Sequence, residues 1–286
     1  MREGEPSRTA FGAAMLRALH QDLDSPRIFT DPLAWRILGD RDELLDGAEQ
    51  WQRSRLRLFI AVRHRFAEDA LAAAYERGCR QAVVLGAGFD TFAYRNPHEG
   101  LRVWEVDFPA TGDWKRARLA EAGIDGPASV TYVGVDFESE SFLDRLVAAG
   151  LDATAPAFFL WLGVVPYLSR EATEATLRAV ASIPGGEIVF DVPAPAGQVP
   201  SKARADRADL EARVAELGEP FRGGWDIAEM AALLAELGFD DVEDLGRSEI
   251  RTRYLGLGPD DRPGGAHVVR ARTSPARHSE AQGGRA

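Results

Sequence analysis

The chain has 286 residues, of which 45% are hydrophobic, and a formal net charge of −11 at neutral pH. This length can hold one large or two small domains with a substantial core. The negative charge repels phosphate backbones and weighs against nucleic acid as a partner, and the single Cys79 excludes an internal disulfide framework. No apolar run approaches the roughly 20 residues of a membrane span. An N-terminus without an apolar signal core predicts a cytoplasmic protein.

The predicted elements begin with a helix over Phe11 to Leu19, after which Pro26 and Pro32 break the chain. Residues 51–77 form the longest helix-like region, because their apolar side chains recur at a period near 3.6. Strand-like and helical runs alternate from residue 81 onward. We predict strands over 82–86, 102–106, 130–135, 157–162, 186–192, 239–244 and 265–271. The predicted helices between them cover 91–95, 109–122, 139–148, 170–182 and 226–237.

This alternation predicts an α/β fold of the Rossmann-like kind, with a mostly parallel seven-stranded sheet and helices on both faces. The last two strands are expected to pair as an antiparallel hairpin at the sheet edge. We predict one domain over 1–272, with 1–80 as an N-terminal helical cap. The polar helix within 193–224 interrupts the alternation and predicts a lid-like insertion, and 273–286 has the composition of a disordered tail.

Candidate ligand-binding residues follow the first three predicted strands. Ligands in open α/β sheets bind beyond the carboxyl ends of the strands. The first strand ends in Gly86-Ala87-Gly88, where glycine lets the backbone approach a ligand closely. The second ends in Asp107, and the third in Asp136 and Phe137. This order suits adenosine: a glycine loop, an acid for the ribose hydroxyls, and an acid with an aromatic ring for the base.

Two alternatives remain open for these residues. Asp107 and Asp136 are equally typical of helix N-caps. The cofactor is also open, although a dinucleotide fingerprint requires a third glycine where this chain has Thr91. The neighbouring Asp90 would oppose a pyrophosphate, whereas a cationic ligand without phosphate, such as S-adenosylmethionine, would tolerate it. S-adenosylmethionine is therefore preferred, and NAD is the second candidate.

The string VVLGAGFDTFAYR, followed by VWEVDFPATGDWKRARL, resembles the leucine carboxyl methyltransferase family, in particular its bacterial branch of S-adenosylmethionine-dependent methyltransferases. The resemblance extends from about residue 53 to 245. Upstream, AVRHRF at 61–66 is similar to the arginine-containing helix of that family. The resemblance implies a class I methyltransferase domain.

The resemblance also implies roles for matching residues. Arg63, unless it is one more solvated helix charge, would bind the carboxylate of the cofactor, and Gly86 and Gly88 its aliphatic part. Asp107 would hold the ribose, and Asp136 with Phe137 the adenine. The implied cofactor-binding set is Arg63, Gly86, Ala87, Gly88, Asp107, Phe108, Asp136, Phe137 and Leu162. Leu162 stands where many members have Glu, so the leucine-carboxyl substrate is not carried over to this chain.

Tyr167 follows the fourth strand and is the candidate catalytic residue on the acceptor side. The sequence offers no compelling general base near the predicted site, and an ionised carboxylate acceptor needs none. It also has no metal-ligand spacing. We therefore predict O-methylation of a small-molecule acceptor, with a carboxylate preferred. An NAD-dependent oxidoreductase and a non-catalytic S-adenosylmethionine-binding protein are the alternatives. No nucleic acid or membrane partner is expected, and the oligomeric state stays open, a homo-oligomer included.

Overall fold

Seven strands form the sheet at the centre of the described part of the chain. The computed structural model describes residues 7–46, 56–193, 195, 201–222, 224–260, 262 and 264–274. The strands are β1 (Gln81–Leu85), β2 (Arg102–Asp107), β3 (Val130–Gly134), β4 (Phe158–Trp161), β5 (Glu187–Val192), β6 (Phe239–Leu245) and β7 (His267–Thr273). All seven predicted strands are present, with ends that differ by at most two residues.

The sheet has the strand order β3-β2-β1-β4-β5-β7-β6. Neighbouring strands from β3 to β5 are parallel, whereas β7 pairs antiparallel with both β5 and β6. The predicted mixed sheet with an antiparallel edge is therefore confirmed. The strand order reverses between β1 and β4, and at such a switch point the loops after the strands leave a crevice for a ligand.

Ten helices surround the sheet in the described residues. They are α1 (Arg8–Leu23), α2 (Ala34–Leu38), α3 (Arg41–Leu45), α4 (Leu56–Glu76), α5 (Pro109–Glu121), α6 (Phe142–Ala148), α7 (Arg170–Ala181), α8 (Ser201–Glu216), α9 (Ile227–Leu237) and α10 (Arg247–Tyr254). The sequence did not predict α2, α3 or α10. Two of these have five residues, and α10 (RSEIRTRY) is too polar to show an apolar period.

The core lies on both faces of the sheet. Trp104 and Trp161 are fully buried on one face, and Val84 and Phe158 on the other. A third apolar cluster joins α1 and α2 to Phe89, which follows the glycine loop. The N-terminal helices therefore pack directly over the loop after β1, where the sequence places the candidate site.

Two predicted segments are described only in part. Helix α8 lies within 193–224, and the proposal that this segment acts as a lid stays a prediction. Thr273 is the last residue of β7 and not the first of a tail, while 275–286 lie outside the described residues. Among the described helices, none combines the length and the apolar character needed to cross a membrane.

Candidate functional site

The glycine loop after β1 is held against the ends of two neighbouring strands. The N–H groups of Gly86 and Ala87 both donate to the carbonyl of Val106, at 2.8 and 3.0 Å. Gly86 has a φ of +66°, and a Cβ there would lie 2.4 Å from Cγ2 of Val164. Gly88 also has a positive φ, of +44°. Both positions therefore require glycine, because any side chain would be strained and, at Gly86, would collide with the segment after β4.

Asp107 joins this loop to the end of β2. Its carboxylate accepts the N–H of Gly88 at 2.5 Å and that of Phe108 at 2.6 Å. Burial raises the pKa of Asp107, and the two N–H donors offset this only in part, so the pKa lies above the ordinary value. Phe108, not Asp107, is the N-cap residue of α5. The helix-cap alternative for Asp107 is therefore wrong.

The carboxylate of Asp107 lies on the wall of a cavity of about 210 Å³. Ala87 and Gly88 line the same cavity, together with residues of α5 and β3. Asp107 is only partly buried by its neighbours. A hydrogen-bonding ligand therefore has access to an acid that the protein already holds in place.

Asp136 and Phe137 follow β3, beside the end of β2. The carbonyl of Asp107 accepts the N–H of Val135 at 2.9 Å, and this hydrogen bond holds the segment after β3 beside the end of β2. The Asp136 carboxylate accepts the N–H of Glu138 and the hydroxyl of Ser139, both at 3.0 Å. It therefore stabilises a turn and leaves further lone pairs for a ligand.

At the third strand end the capping alternative for Asp136 fails, while Phe137 packs at the edge of the apolar core. Ser141 is the N-cap of α6, so the capping alternative for Asp136 is also wrong. The ring of Phe137 is half-buried and packs 6.1 Å from that of Phe142. The structure thus brings the glycine loop, Asp107 and the Asp136–Phe137 pair to three adjacent strand ends, in the predicted order.

Arg63 of α4 lies across Gly163, just beyond β4. It is only 7% exposed, so the alternative of a solvated helix charge is wrong. Its Nη1 donates to Oδ2 of Asp191 at 3.1 Å, and a Cβ at Gly163 would lie 2.8 Å from both of its terminal nitrogens. Its buried Nε has no hydrogen-bond partner among the described residues. A buried donor of this kind is usually matched by an acceptor.

Asp191, near the end of β5, is a residue that sequence reasoning missed. It is 4% exposed, and its Oδ1 accepts the N–H of Gly163. The signal was available, because Asp191 lies at the carboxyl end of a predicted strand. Leu162, by contrast, packs its side chain on the apolar core around Phe66 and Leu160.

Asp90 and Thr91 are buried and bond to the protein, so the electrostatic argument drawn from Asp90 does not hold. Asp90 accepts the N–H of Phe92 at 2.7 Å, and its carboxylate lies 3.5 Å from Nε2 of His64. Burial raises the pKa of Asp90, but His64 lowers it further, and the net pKa lies far below the ordinary value. Asp90 anchors the loop to α4 instead of presenting a charge to a phosphate.

A second buried acid, Asp31, anchors the same loop to the N-terminal helices. It accepts Nε of Arg17 at 2.8 Å and the hydroxyl of Thr91 at 2.7 Å. Arg17 also donates to the carbonyl of Phe89 at 2.6 Å, and Arg95 lies 3.4 Å from Asp31. Asp90, Thr91 and Arg95 of the DTFAYR string therefore connect the glycine loop to α4 and to the N-terminal segment.

Tyr167 lies in the segment after β4, as the last residue of a 3₁₀ helix over Val165–Tyr167. Its ring packs 5.2 Å from that of Phe221. Burial raises the pKa of its phenol to about 12, although a hydrogen bond with Thr9 lowers it. A Cβ at Gly88 would lie 2.9 Å from that of Ala10. The start of α1 therefore contacts both the glycine loop and Tyr167.

Glu219, which sequence reasoning also missed, ties the segment after α8 to the start of α1. Its carboxylate accepts the N–H of Arg8 at 2.8 Å and the hydroxyl of Ser7 at 2.9 Å. The hydroxyl of Thr9 also donates to it. The segment that follows α8 therefore closes over Tyr167, in line with its predicted position beside the site.

A parallel sheet whose first strand ends in a glycine loop and whose second strand ends in an acid forms a site for an adenosine-containing cofactor. The model of a family described as leucine carboxyl methyltransferase matches residues 10–181. The chain belongs to the leucine carboxyl methyltransferase family.

Bacterial relatives cover most of the chain. YktD of Bacillus subtilis (strain 168), whose name describes an S-adenosyl-L-methionine-dependent methyltransferase, is 30% identical over 86% of this chain and 92% of its own length. A Mycobacterium avium (strain 104) protein with a name of the same meaning is 30% identical over 85% of this chain and 79% of its own. The prediction of the cofactor is confirmed.

Solved structures share the fold at low sequence identity. A Thermobifida fusca protein described as a methyltransferase matches with a TM-score of 0.56 and 18% identity, over 95% of this chain and 96% of its own. A Streptomyces avermitilis protein of the DUF574 family matches with a TM-score of 0.54 and 18% identity, over 91% and 96% of the two chains. These similarities confirm the predicted fold class.

Proposed function

We propose that the protein transfers a methyl group from S-adenosylmethionine to an oxygen atom of a small molecule, with a carboxylate as the preferred acceptor. The observation that carries this proposal is Tyr167. Its phenol has a pKa of about 12 and stays protonated near neutral pH. It can therefore donate a hydrogen bond to an acceptor oxygen but cannot remove a proton from one. A carboxylate, already ionised, needs no such removal.

The residues around the glycine loop fit S-adenosylmethionine. Asp107 can accept hydrogen bonds from the ribose hydroxyls, because its carboxylate is held in place and still reaches the cavity. Gly86 and Gly88 give the loop the positive φ angles that turn it beside Asp107. The unpartnered Nε of Arg63 suits the carboxylate of the cofactor.

Asp136 and Phe137 are proposed for the adenine, and Ala87, Phe108 and Leu162 complete the proposed contacts. Phe137 offers a half-buried ring at the strand end, and Asp136 keeps lone pairs free for an amino group. The main-chain groups of Ala87 and Phe108 flank Asp107. Leu162 contributes only its backbone to this arrangement, since its side chain packs in the core.

When bound, S-adenosylmethionine supplies an electrophilic methyl group. The leaving group is the neutral thioether S-adenosylhomocysteine, which departs readily from the sulfonium. The protein then contributes chiefly position and alignment. The glycine loop fixes the cofactor, and the phenol of Tyr167 orients the acceptor oxygen. The segment after α8, clasped to α1 by Glu219, excludes water from the acceptor side.

We also propose that the protein acts in the cytoplasm on a small molecule and not on nucleic acid or a membrane. A net charge of −11 opposes binding to phosphate backbones. The single cysteine suits a reducing compartment.

The proposal is tested first by binding and then by product chemistry. Calorimetric titrations of the intact protein with S-adenosylmethionine, S-adenosylhomocysteine and NAD are repeated on Asp107→Ala, with exposed Asp125→Ala as the matched control. We expect both S-adenosyl ligands to bind, NAD not to bind, and only Asp107→Ala to lose affinity, by at least about tenfold. No binding of either S-adenosyl ligand to the intact protein would refute the proposal.

The acceptor is tested with methyl-labelled S-adenosylmethionine and a panel of carboxylic acids, each beside its alcohol and amide. Carboxyl methylation gives esters that release labelled methanol in mild alkali. Alkali-stable label would show a methyl ether or methylated nitrogen and overturn the carboxylate assignment. Ligand binding without labelled product from any acceptor would favour the non-catalytic alternative.

A further inference from the structure

Two buried side chains of opposite charge, Arg63 and Asp191, meet beside Gly163. The proposed function assigns Arg63 to the carboxylate of the cofactor and gives Asp191 no role. Arg63 and Asp191 are 7% and 4% exposed and lie in contact at 3.1 Å. They come from α4 and β5, and both reach the point where the chain leaves β4. The pair is electrically neutral as a unit, and its natural complement is a group that carries both charges.

Both side chains have unused hydrogen-bonding capacity. The Nε of Arg63 is buried without a partner among the described residues. Asp191 accepts one N–H of Gly163 and one of Arg63, whereas an ionised carboxylate offers about four lone-pair sites. A carboxylate and an ammonium group on adjacent atoms would occupy this donor and this acceptor together.

The other acids around the site have partners of their own, and the Glu219 carboxylate accepts from Ser7, Arg8 and Thr9. Leu162 is apolar, and the Asp90 carboxylate is buried against His64 and the N–H of Phe92. Asp107 is committed to the opposite end of the loop through Gly88. Asp191 is thus the acid beside the buried guanidinium.

We propose that Asp191 binds the ammonium group of the amino-acid end of S-adenosylmethionine, while Arg63 binds its carboxylate. The inference rests on the proposed function, since it assigns a further residue to the same cofactor site. Asp191 also holds Gly163 in the turn that admits Arg63. In this proposal Asp191 contacts the ligand directly, whereas a supporting residue would act only by holding Gly163 or Arg63 in place.

The test measures the affinity of three thioethers that share the adenosyl group and lack the sulfonium charge. S-adenosylhomocysteine carries both charged groups, S-adenosyl-3-thiopropylamine keeps the amino group but lacks the carboxylate, and 5′-methylthioadenosine lacks both. Each is titrated into the intact protein and into Asp191→Asn. Glu187→Gln is the matched control, since Glu187 is a buried, ion-paired acid at the other end of the same strand.

We expect Asp191→Asn to weaken the first two ligands by about tenfold or more and to leave 5′-methylthioadenosine unchanged. Glu187→Gln should leave all three affinities unchanged. If Asp191→Asn weakens S-adenosylhomocysteine alone, Asp191 acts only through Arg63 and the proposal is wrong. An equal loss for all three ligands, or no loss for any, also overturns it.

A comparison on the intact protein keeps the proposal testable should Asp191→Asn fail to fold. S-adenosyl-3-thiopropylamine should bind at least about tenfold more tightly than 5′-methylthioadenosine, and equal affinities would refute the proposal. Failure of the proposed function has a different signature, because S-adenosylhomocysteine itself would then not bind to the intact protein.

Discussion

At Gly163 the absence of a β-carbon makes room for a charged side chain. The residue has a φ of +77°, and a Cβ would lie 2.8 Å from both terminal nitrogens of Arg63. Gly163→Ala is expected to displace the guanidinium and to lower the affinity for S-adenosylhomocysteine by about tenfold or more. Gly100→Ala is the control, since Gly100 has a φ of +70° but no atom within 4 Å of its Cβ position.

Gly100→Ala should lose about 1 kcal/mol of unfolding free energy, because it places a side chain in the left-handed region. Gly163→Ala should lose more, because it also displaces the buried Arg63. Calorimetry for binding and urea unfolding for stability separate the two effects. Equal affinities of the two variants for S-adenosylhomocysteine would show that the space at Gly163 does not serve the site.

Asp107 predicts how cofactor binding depends on pH. Its pKa is raised above the ordinary value of 3.8, chiefly by burial. The carboxylate therefore takes up a proton at a higher pH than an exposed aspartate would, and the affinity for S-adenosylhomocysteine should fall on acidification, with a midpoint above 3.8. Asp107→Asn should bind weakly without this acidic limb. An unchanged limb in that variant would assign the titration to another group.

At single residues, the sequence was most informative where the backbone conformation or its N–H groups require one residue type. Gly86 and Gly88 have positive φ, and Asp107 binds main-chain N–H groups at a strand end. Asp191 lies at the end of a predicted strand, which is a signal for a site residue, but its pairing and the contacts of Glu219 could not be predicted because their partners are distant in the chain. Arg63 and the N-terminus of α1 lie 128 and about 210 residues away from them, and no local pattern records such a contact.

At the scale of elements, the loop after β1 depends on the N-terminal helices. Burial raises the pKa of Asp31, but Arg17 and Arg95 lower it further, so it lies below the ordinary value. The carboxylate thus stabilises the fold at neutral pH and loses this contribution as the pH falls below about 4. The network predicts that the helices and the loop unfold together.

Asp31→Asn should destabilise the protein by about 3–5 kcal/mol, because it leaves the buried guanidinium of Arg17 without its charge partner, although Arg95 keeps Glu68. Asp69→Asn is the control, since it removes an exposed i,i+4 pair with Arg65 and should cost about 0.5 kcal/mol or less. Urea unfolding at pH 7 measures both. A loss for Asp31→Asn no larger than that of the control would contradict the role of the buried network.

The elements themselves were predictable wherever apolar periodicity and turn residues agreed. The runs that became β1 and β5 are buried on both faces and are mostly apolar, with IVF at the centre of β5 and AVVL in β1. Helix α10 was not, because its apolar content is low and it forms against the β6–β7 hairpin. The position of α2 depends on contacts with α1 and α5 and not on its own short sequence.

At the scale of the whole molecule, the net charge determines which charged partners can bind to the surface. The net charge of −11 is spread over 45 acidic and 34 basic side chains. Fluorescence anisotropy with labelled duplex DNA should show no binding at 50 mM salt, because phosphate contacts would have to overcome this repulsion. Salt-sensitive DNA binding in the micromolar range would reveal a local basic surface and contradict the prediction.

The contact between Arg63 and Asp191 spans 128 residues of sequence. During synthesis the helix that carries Arg63 emerges long before β5, and the pair can form only after both are available. Closing so long a loop is entropically unfavourable, which places this contact among the late events of folding. A nascent or truncated chain that ends before residue 191 therefore lacks one wall of the site, and tight retention of ligand would distinguish fully folded molecules from incomplete ones.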